Sequence, residues 1–281
     1  MIIRRTHSTH YFYRTALLFV LIFVFKIHKG HAQGDLMIYP KRIVFDDHQK
    51  FQKLYITNTG KDTTRYTVSS VNMKMGSDGG FHMMDGEEPG HRFAEKYYRF
   101  FPREIKLAPD ESQTVRLQLV RTKGLESGEY RSHLYFRHQP KRDIINEKPI
   151  ESETKDVAIR LVPIYGLTIP VIVRKGSLNA KVAVSRFSME RDKSKGPMAS
   201  MELSRSGNRS VYGDIEITHI SPNHDVTPVG KIKGLAIYTP NDERSIQLRL
   251  KEDPEVDYGR GTIRITYKEG DRRYVDKVYK L

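Results

Sequence analysis

Residues 53–68 read KLYITNTGKDTTRYTV, and this stretch decides the fold class. On either side of Asn58-Thr59-Gly60, β-branched and aromatic residues alternate with polar ones, which is the period of strands with one buried face. Asparagine and glycine are common in tight turns because they tolerate backbone conformations that other residues avoid. The stretch therefore predicts two antiparallel strands joined by a turn.

The same pattern continues away from this hairpin. Residues 114–119 and 133–136 alternate in the same way, and Ala108-Pro109-Asp110-Glu111 and Ser127-Gly128 supply further turn residues. After the N-terminal segment, no stretch of twelve or more residues has a persuasive helical stripe of apolar residues. We predict an all-β fold.

A second set of alternating runs begins after Arg174-Lys175-Gly176-Ser177, which ends an unusually long apolar run at Val157–Val173. That apolar run is predicted to be one interrupted strand or two strands, because its prolines cannot donate to a central ladder. The later runs are residues 180–189, 199–203, 211–220, 231–238, 245–250, 261–267 and 274–279. We predict two immunoglobulin-like β-sandwich domains in tandem, at residues 33–175 and 176–281.

The N-terminal segment has the features of a signal peptide. Its first fourteen residues contain three arginines and no acid, an apolar run spans Ala16–Phe25, and Gly30-His31-Ala32 supplies small residues for cleavage. Residues 1–32 are predicted to be removed near Ala32, although an uncleaved anchor is the alternative. Cleavage would remove five basic residues and lower the net charge from +14 to +9.

Composition and motifs argue against several functional classes. The chain has no cysteine, which excludes disulfides and thiolate chemistry. Its basic residues are scattered, so no nucleic-acid partner is expected. His48 and His224 belong to no nucleophile–base motif, and His82, Asp85 and His91 match no metal-ligand signature. We predict no enzyme, metal or cofactor, and the lack of tryptophan argues mildly against carbohydrate binding.

Three segments of the first half resemble the PapD-like periplasmic chaperones of pilus assembly. They are Ile38–Phe45 with the following Leu54, Ile56 and Asn58, then Phe101–Arg116, and then Gly128–Phe136. The resemblance implies two immunoglobulin-like domains with a cleft between them, and a periplasmic protein that binds exported subunits without ATP. No phosphate-cradling Gly-x-x-x-x-Gly-Lys loop is present.

The resemblance also implies a basic cleft pair that holds the C-terminal carboxylate of a client. Arg42 matches the arginine of that pair, and a guanidinium can bind both oxygens of a carboxylate. The family's lysine falls on Tyr165, so Lys41 or Arg160 are the candidate substitutes. The family's acidic residue falls on Arg131 and its interdomain arginine on Ile169. The alternative is that Arg42 is an ordinary solvent-facing residue.

The resemblance further implies that the chaperone lends an edge strand to a client with an incomplete sheet. The candidate strand is 157–162, where Val157, Ile159 and Leu161 would share one apolar face. The alternative is that these side chains fill the protein's own core. The predicted partners are incomplete β-sandwich subunits, bound by a monomer or weak dimer. The competing function is that of a structural component in a surface, adhesion or secretion assembly.

Overall fold

The computed structural model describes residues 36–46, 48–84, 86, 88–140, 164–192 and 196–281. The predicted signal peptide and the predicted donor residues Val157, Ile159 and Leu161 lie outside these ranges. The described residues form eighteen strands and one short 3-10 helix at Glu95–Tyr97, which agrees with the predicted all-β class. No helix among them is long and apolar enough to cross a membrane.

Eleven strands belong to the N-terminal half of the chain. They are β1 (Leu36–Tyr39), β2 (Ile43–Phe45), β3 (Phe51–Asn58), β4 (Thr64–Val71), β5 (Met73–Met75), β6 (Phe81–Met83), β7 (Tyr98–Phe101), β8 (Glu104–Leu107), β9 (Ser112–Leu119), β10 (Gly128–His138) and β11 (Gly166–Lys175). The two strands predicted from residues 53–68 are β3 and β4, but they lie in different sheets, so the turn between them connects the two sheets and they do not pair as a hairpin.

Two sheets build this half. One has the order β1-β3-β9-β7 and the other the order β2-β11-β10-β4-β8, while β5 and β6 form a separate hairpin. The short strand β2 runs parallel to β11, and the other pairs are antiparallel. Alternate side chains of both sheets meet in one core that contains Phe45, Leu54, Leu117 and Phe136. This is the sandwich packing that the period of two predicts.

Seven strands form the C-terminal half, and each overlaps one of the seven predicted runs. They are β12 (Ala180–Asp192), β13 (Gly196–Gly207), β14 (Val211–Ile220), β15 (Val226–Ile237), β16 (Glu243–Arg249), β17 (Thr262–Glu269) and β18 (Arg272–Lys280). Their sheets have the orders β12-β13-β16 and β15-β14-β17-β18. Leu203, Ile215 and Tyr267 are fully buried in the core between them.

The two halves meet in a third, smaller cluster of buried side chains. Met75 and Ile172 from the N-terminal half pack there with Ala236 and Tyr238 from the C-terminal half. The described residues of both halves form one compact unit, so the predicted domain boundary after Lys175 stays a prediction. The cluster shows that apolar packing as well as polar contacts joins the halves.

Asn58, which ends β3, ties the turn after it to the core. Its Nδ2 donates to the carbonyls of Asp62, Leu107 and Ala108 at 2.8, 3.1 and 3.0 Å, and its Oδ1 accepts from the Gly60 amide. The side chain is fully buried. An asparagine is well suited to this position because its amide both donates and accepts.

We expect Asn58→Ala to lower the free energy of unfolding by about 2 kcal/mol, because buried carbonyls would lose their donor. Urea unfolding measures this change. Asn223→Ala, which alters an exposed turn residue, is the matched control and should leave the midpoint nearly unchanged. Equal effects of the two substitutions would show that the network around Asn58 does not stabilise the fold.

Candidate functional site

Arg42 lies in the groove between the two halves. It directly precedes β2, its guanidinium carbon is 4.0 Å from the centroid of the Tyr212 ring, and its Nη2 donates to Glu269 Oε1 at 3.2 Å. The Arg42 side chain is 20% exposed. Arg42 is therefore neither an ordinary surface residue nor free, because its charge faces a carboxylate of the same chain.

Of the two residues predicted as possible second cations beside Arg42, Arg160 lies outside the described residues. Lys41 is exposed. Ile43 pairs with Val171, so Arg42 is level with Pro170 on β11. Tyr165 lies five residues before Pro170, which corresponds to about 17 Å along an extended chain. The structure therefore does not bring Tyr165 to Arg42, and a lysine at position 165 would not have completed a pair there.

A second arginine shares the site, and no sequence motif predicts it. Arg209, in the turn before β14, donates from Nη2 to Glu269 Oε2 at 2.8 Å, and the Tyr274 hydroxyl donates to the same oxygen at 2.9 Å. An adjoining cleft of about 380 Å³ is lined by Arg42, Tyr212, Gly213, Asp214, Glu216, Lys268, Glu269 and Gly270. The site thus combines groups from both halves.

A buried ion pair lies farther along the same junction. Glu129 on β10 is directly opposite Arg174 on β11, and Arg174 Nε donates to Glu129 Oε2 at 2.9 Å. The backbone amide of Ser210 donates to both oxygens of this carboxylate, and the Ser210 hydroxyl also donates to it. The sequence motifs indicated neither Glu129 nor Arg174 as a site residue.

Arg131 and His133 follow Glu129 on the same face of β10. Arg131 lies 4.4 Å from the centroid of the Tyr238 ring, and its Nη2 donates to the Thr239 carbonyl at 3.4 Å. Burial lowers the pKa of Arg131 to about 10 and that of His133 to about 3. Burial also raises the pKa of Tyr238 to about 12. This row is polar in sequence but enclosed, because the β5–β6 hairpin and the C-terminal half cover it.

The edge of β11 is the other notable feature of the N-terminal half. Strand β2 pairs only with Val171, Ile172 and Val173. Among the described residues, no strand pairs with Gly166–Pro170 on the side away from β10. Leu167 is 40% exposed and Tyr165 51% exposed at this edge. Unpaired backbone groups next to exposed apolar side chains are the features that strand addition requires.

No residue cluster suggests catalysis or metal binding in the described part of the chain. His48, His82 and His224 are exposed, and Asp85 lies outside the described residues. Within the ranges that the structure describes, no group of three or more histidine or acidic residues is placed to hold a metal ion.

Comparisons with known proteins found similarity only among solved structures. No family model matches the chain, and no curated protein matches it. A chaperone–tip adhesin complex of CFA/I fimbriae biogenesis matches at 13% identity and a TM-score of 0.43, covering 88% of this chain and 98% of that chain. The class 5 fimbriae chaperone CfaA matches at 14% identity and a TM-score of 0.42, covering 87% and 98%.

The Salmonella enterica SafA pilin in complex with the SafB chaperone also matches. Its identity is 9% and its TM-score 0.43, and the match covers 89% of this chain and 97% of that chain. At these values the comparisons describe a likeness of fold.

Proposed function

We propose that this chain is a periplasmic chaperone that binds incomplete β-sandwich subunits of fimbriae or other surface structures by lending them an edge strand. The observation that carries the proposal is the unpaired edge of β11 at Gly166–Pro170. Exposed Tyr165 and Leu167 lie on or beside this edge. A subunit that lacks one strand could pair with it through main-chain hydrogen bonds.

The alternation of side chains along a strand relates this edge to the donor residues predicted from the sequence. Ile169 and Val171 on β11 point into the N-terminal core. In a strand continued upstream in the same register, Val157, Ile159 and Leu161 would lie on the face that carries Ile169, because all have odd numbers. Each side chain buried in a client's groove would contribute about 2 kcal/mol.

Arg42 supports the proposal as the anchor for a client's terminal carboxylate. Its guanidinium is largely shielded from solvent and already binds a carboxylate, that of Glu269. Charge-assisted hydrogen bonds are stronger in such surroundings than at an exposed surface. Lys41, which is exposed, remains the proposed helper. In this proposal, binding uses neither ATP nor a cofactor, and residues 1–32 direct export.

The outer face of the β1-β3-β9-β7 sheet favours a second candidate function, that of a structural component in a surface or secretion assembly. Met37, Tyr39, Phe51, Tyr55 and Phe101 are all exposed on this face. Tyr39 lies directly opposite Tyr55. Contiguous exposed apolar side chains are typical of surfaces that other proteins cover.

Affinity purification of the exported protein from periplasmic extract tests the chaperone proposal. Wild type should retain a few β-rich subunits, while Ile159→Asp, Leu167→Asp and Arg42→Ala should retain at least tenfold less. Val278→Asp introduces the same charge at an exposed site on β18 and should bind like wild type. Retention that is equal in all variants, or elution of the protein only in a large permanent complex, would favour the structural function.

A further inference from the structure

Glu269 is held by groups from both halves of the chain. Arg42 donates to one of its carboxylate oxygens, and Arg209 and Tyr274 donate to the other. The Glu269 side chain is 14% exposed, and both arginine side chains are 20% exposed. This arrangement is a carboxylate receptor in chemical terms, since it combines two guanidinium groups, a hydroxyl donor and partial exclusion of water.

Glu269 does not use all the donors of this receptor. Arg42 Nη1 and Arg209 Nε are buried and have no hydrogen-bond partner. Each guanidinium therefore binds Glu269 through one nitrogen, although its planar fork can bind a carboxylate through two. The Tyr212 ring, 4.0 Å from Arg42, fixes the plane of that fork. Buried donors without an acceptor raise the free energy of the folded protein. A carboxylate that also accepts from Arg42 Nη1 and Arg209 Nε would therefore be favoured over Glu269.

The surroundings leave room for such a carboxylate. The cleft of about 380 Å³ is lined by Arg42 and Glu269 and also by Lys268. Of its two other acidic residues, Glu216 is paired with Lys231 and Asp214 accepts from the Gly234 amide. These contacts direct the two acids toward their own partners, while Lys268 adds a positive charge.

We propose that Arg42 and Arg209 together form the receptor for a client's C-terminal carboxylate, and that Glu269 occupies this receptor as an internal competitor until a client displaces it. This inference rests on the proposed chaperone function. Arg209 supplies the second cation that the sequence does not place on β11. A client's carboxylate must then outcompete Glu269, so weakly bound carboxylates are rejected.

A titration with N-acetylphenylalanine, monitored by NMR on the mature full-length chain, tests the inference. Glu269→Gln should lower the Kd of this free carboxylate about tenfold relative to wild type, and the corresponding C-terminal amide should not bind. Adding Arg209→Gln to Glu269→Gln should abolish the gain. Glu190→Gln, an exposed change on β12, is the matched control and should bind like wild type.

Two outcomes would overturn the inference. One is a Glu269→Gln variant that binds no tighter than wild type, and the other is a gain that persists without Arg209. Should Glu269→Gln not fold, Tyr274→Phe removes only the hydroxyl contact and should lower the Kd about twofold to threefold; an unchanged Kd would overturn the inference.

The two proposals can fail separately. If wild type captures subunits through Leu167 but Glu269→Gln binds the carboxylate no more tightly, only the internal competition fails. If the gain appears and no subunit is captured, only the chaperone function fails.

Discussion

Replacing Glu129 with alanine is expected to lower the free energy of unfolding by about 3–5 kcal/mol, because it leaves a buried charge without its partner. The Glu129 side chain is completely shielded from solvent and that of Arg174 is 16% exposed. The substitution would also leave the Ser210 amide and hydroxyl without their acceptor. Because Glu129 and Ser210 belong to different halves, the substitution should weaken the contact between the N-terminal and C-terminal halves.

Urea unfolding of Glu129→Ala measures this loss, and Glu88→Ala is the matched control. Glu88 pairs with Lys74 at 2.9 Å, but both side chains are more than 40% exposed, so its removal should leave the unfolding midpoint nearly unchanged. Glu129→Met combined with Arg174→Met should cost less than Glu129→Ala alone, since no charge is then left unpaired. A loss below about 1 kcal/mol for Glu129→Ala would contradict the prediction.

His133 should make the stability of the protein depend on pH. Its folded-state pKa is about 3, below the usual value of 6.5, because burial disfavours the charged ring and Arg131 adds a like charge. As the pH falls below 6.5, the unfolded chain therefore binds a proton that the folded chain does not. The stabilisation is complete above pH 6.5 and is lost as the pH falls toward 3.

Wild type should consequently lose about 2–3 kcal/mol more than His133→Leu between pH 7.5 and pH 4.5, at about 1.4 kcal/mol per pKa unit. Urea unfolding at the two pH values measures the difference. The control is His48→Gln, which changes an exposed histidine and should keep the wild-type pH dependence. The same pH dependence in wild type and His133→Leu would show that the pKa of His133 in the folded state is close to its value in the unfolded chain.

Much of the fold follows from local sequence patterns. The seven runs predicted for the C-terminal half match β12–β18, because their side chains alternate between core and solvent, as in β14, and local period therefore reports burial. The local pattern does not report burial for the row Glu129, Arg131 and His133. These polar residues occupy alternate positions of one strand, a pattern that is typical of a face exposed to solvent. They are buried because the β5–β6 hairpin and the C-terminal half cover that face.

The candidate site could be predicted only in part for the same reason. Arg42 can be predicted as a site residue because the motif that contains it is a short, continuous stretch of sequence. Arg209 and Glu269 lie 167 and 227 positions later in the chain, and nothing in their neighbouring residues indicates that they meet Arg42. The pair Glu129 and Arg174 depends on the register of β10 against β11, which the sequence motifs do not reveal. Contacts that tertiary packing creates between distant residues do not produce a periodic pattern in the sequence.

The short pairing of β2 with β11 limits how far a strand added to the free edge of β11 can extend. Strand β2 occupies the edge from Val171 onward, so an added strand must end near Pro170, level with Arg42. A chain whose carboxyl terminus reaches Arg42 must therefore point the same way as β11 and form parallel hydrogen bonds with it. A chain of the opposite direction would bring its amino terminus, a positive charge, against the arginine. In the proposed binding mode, β2 therefore sets where an added strand ends, and the charge of Arg42 at that point favours the parallel direction.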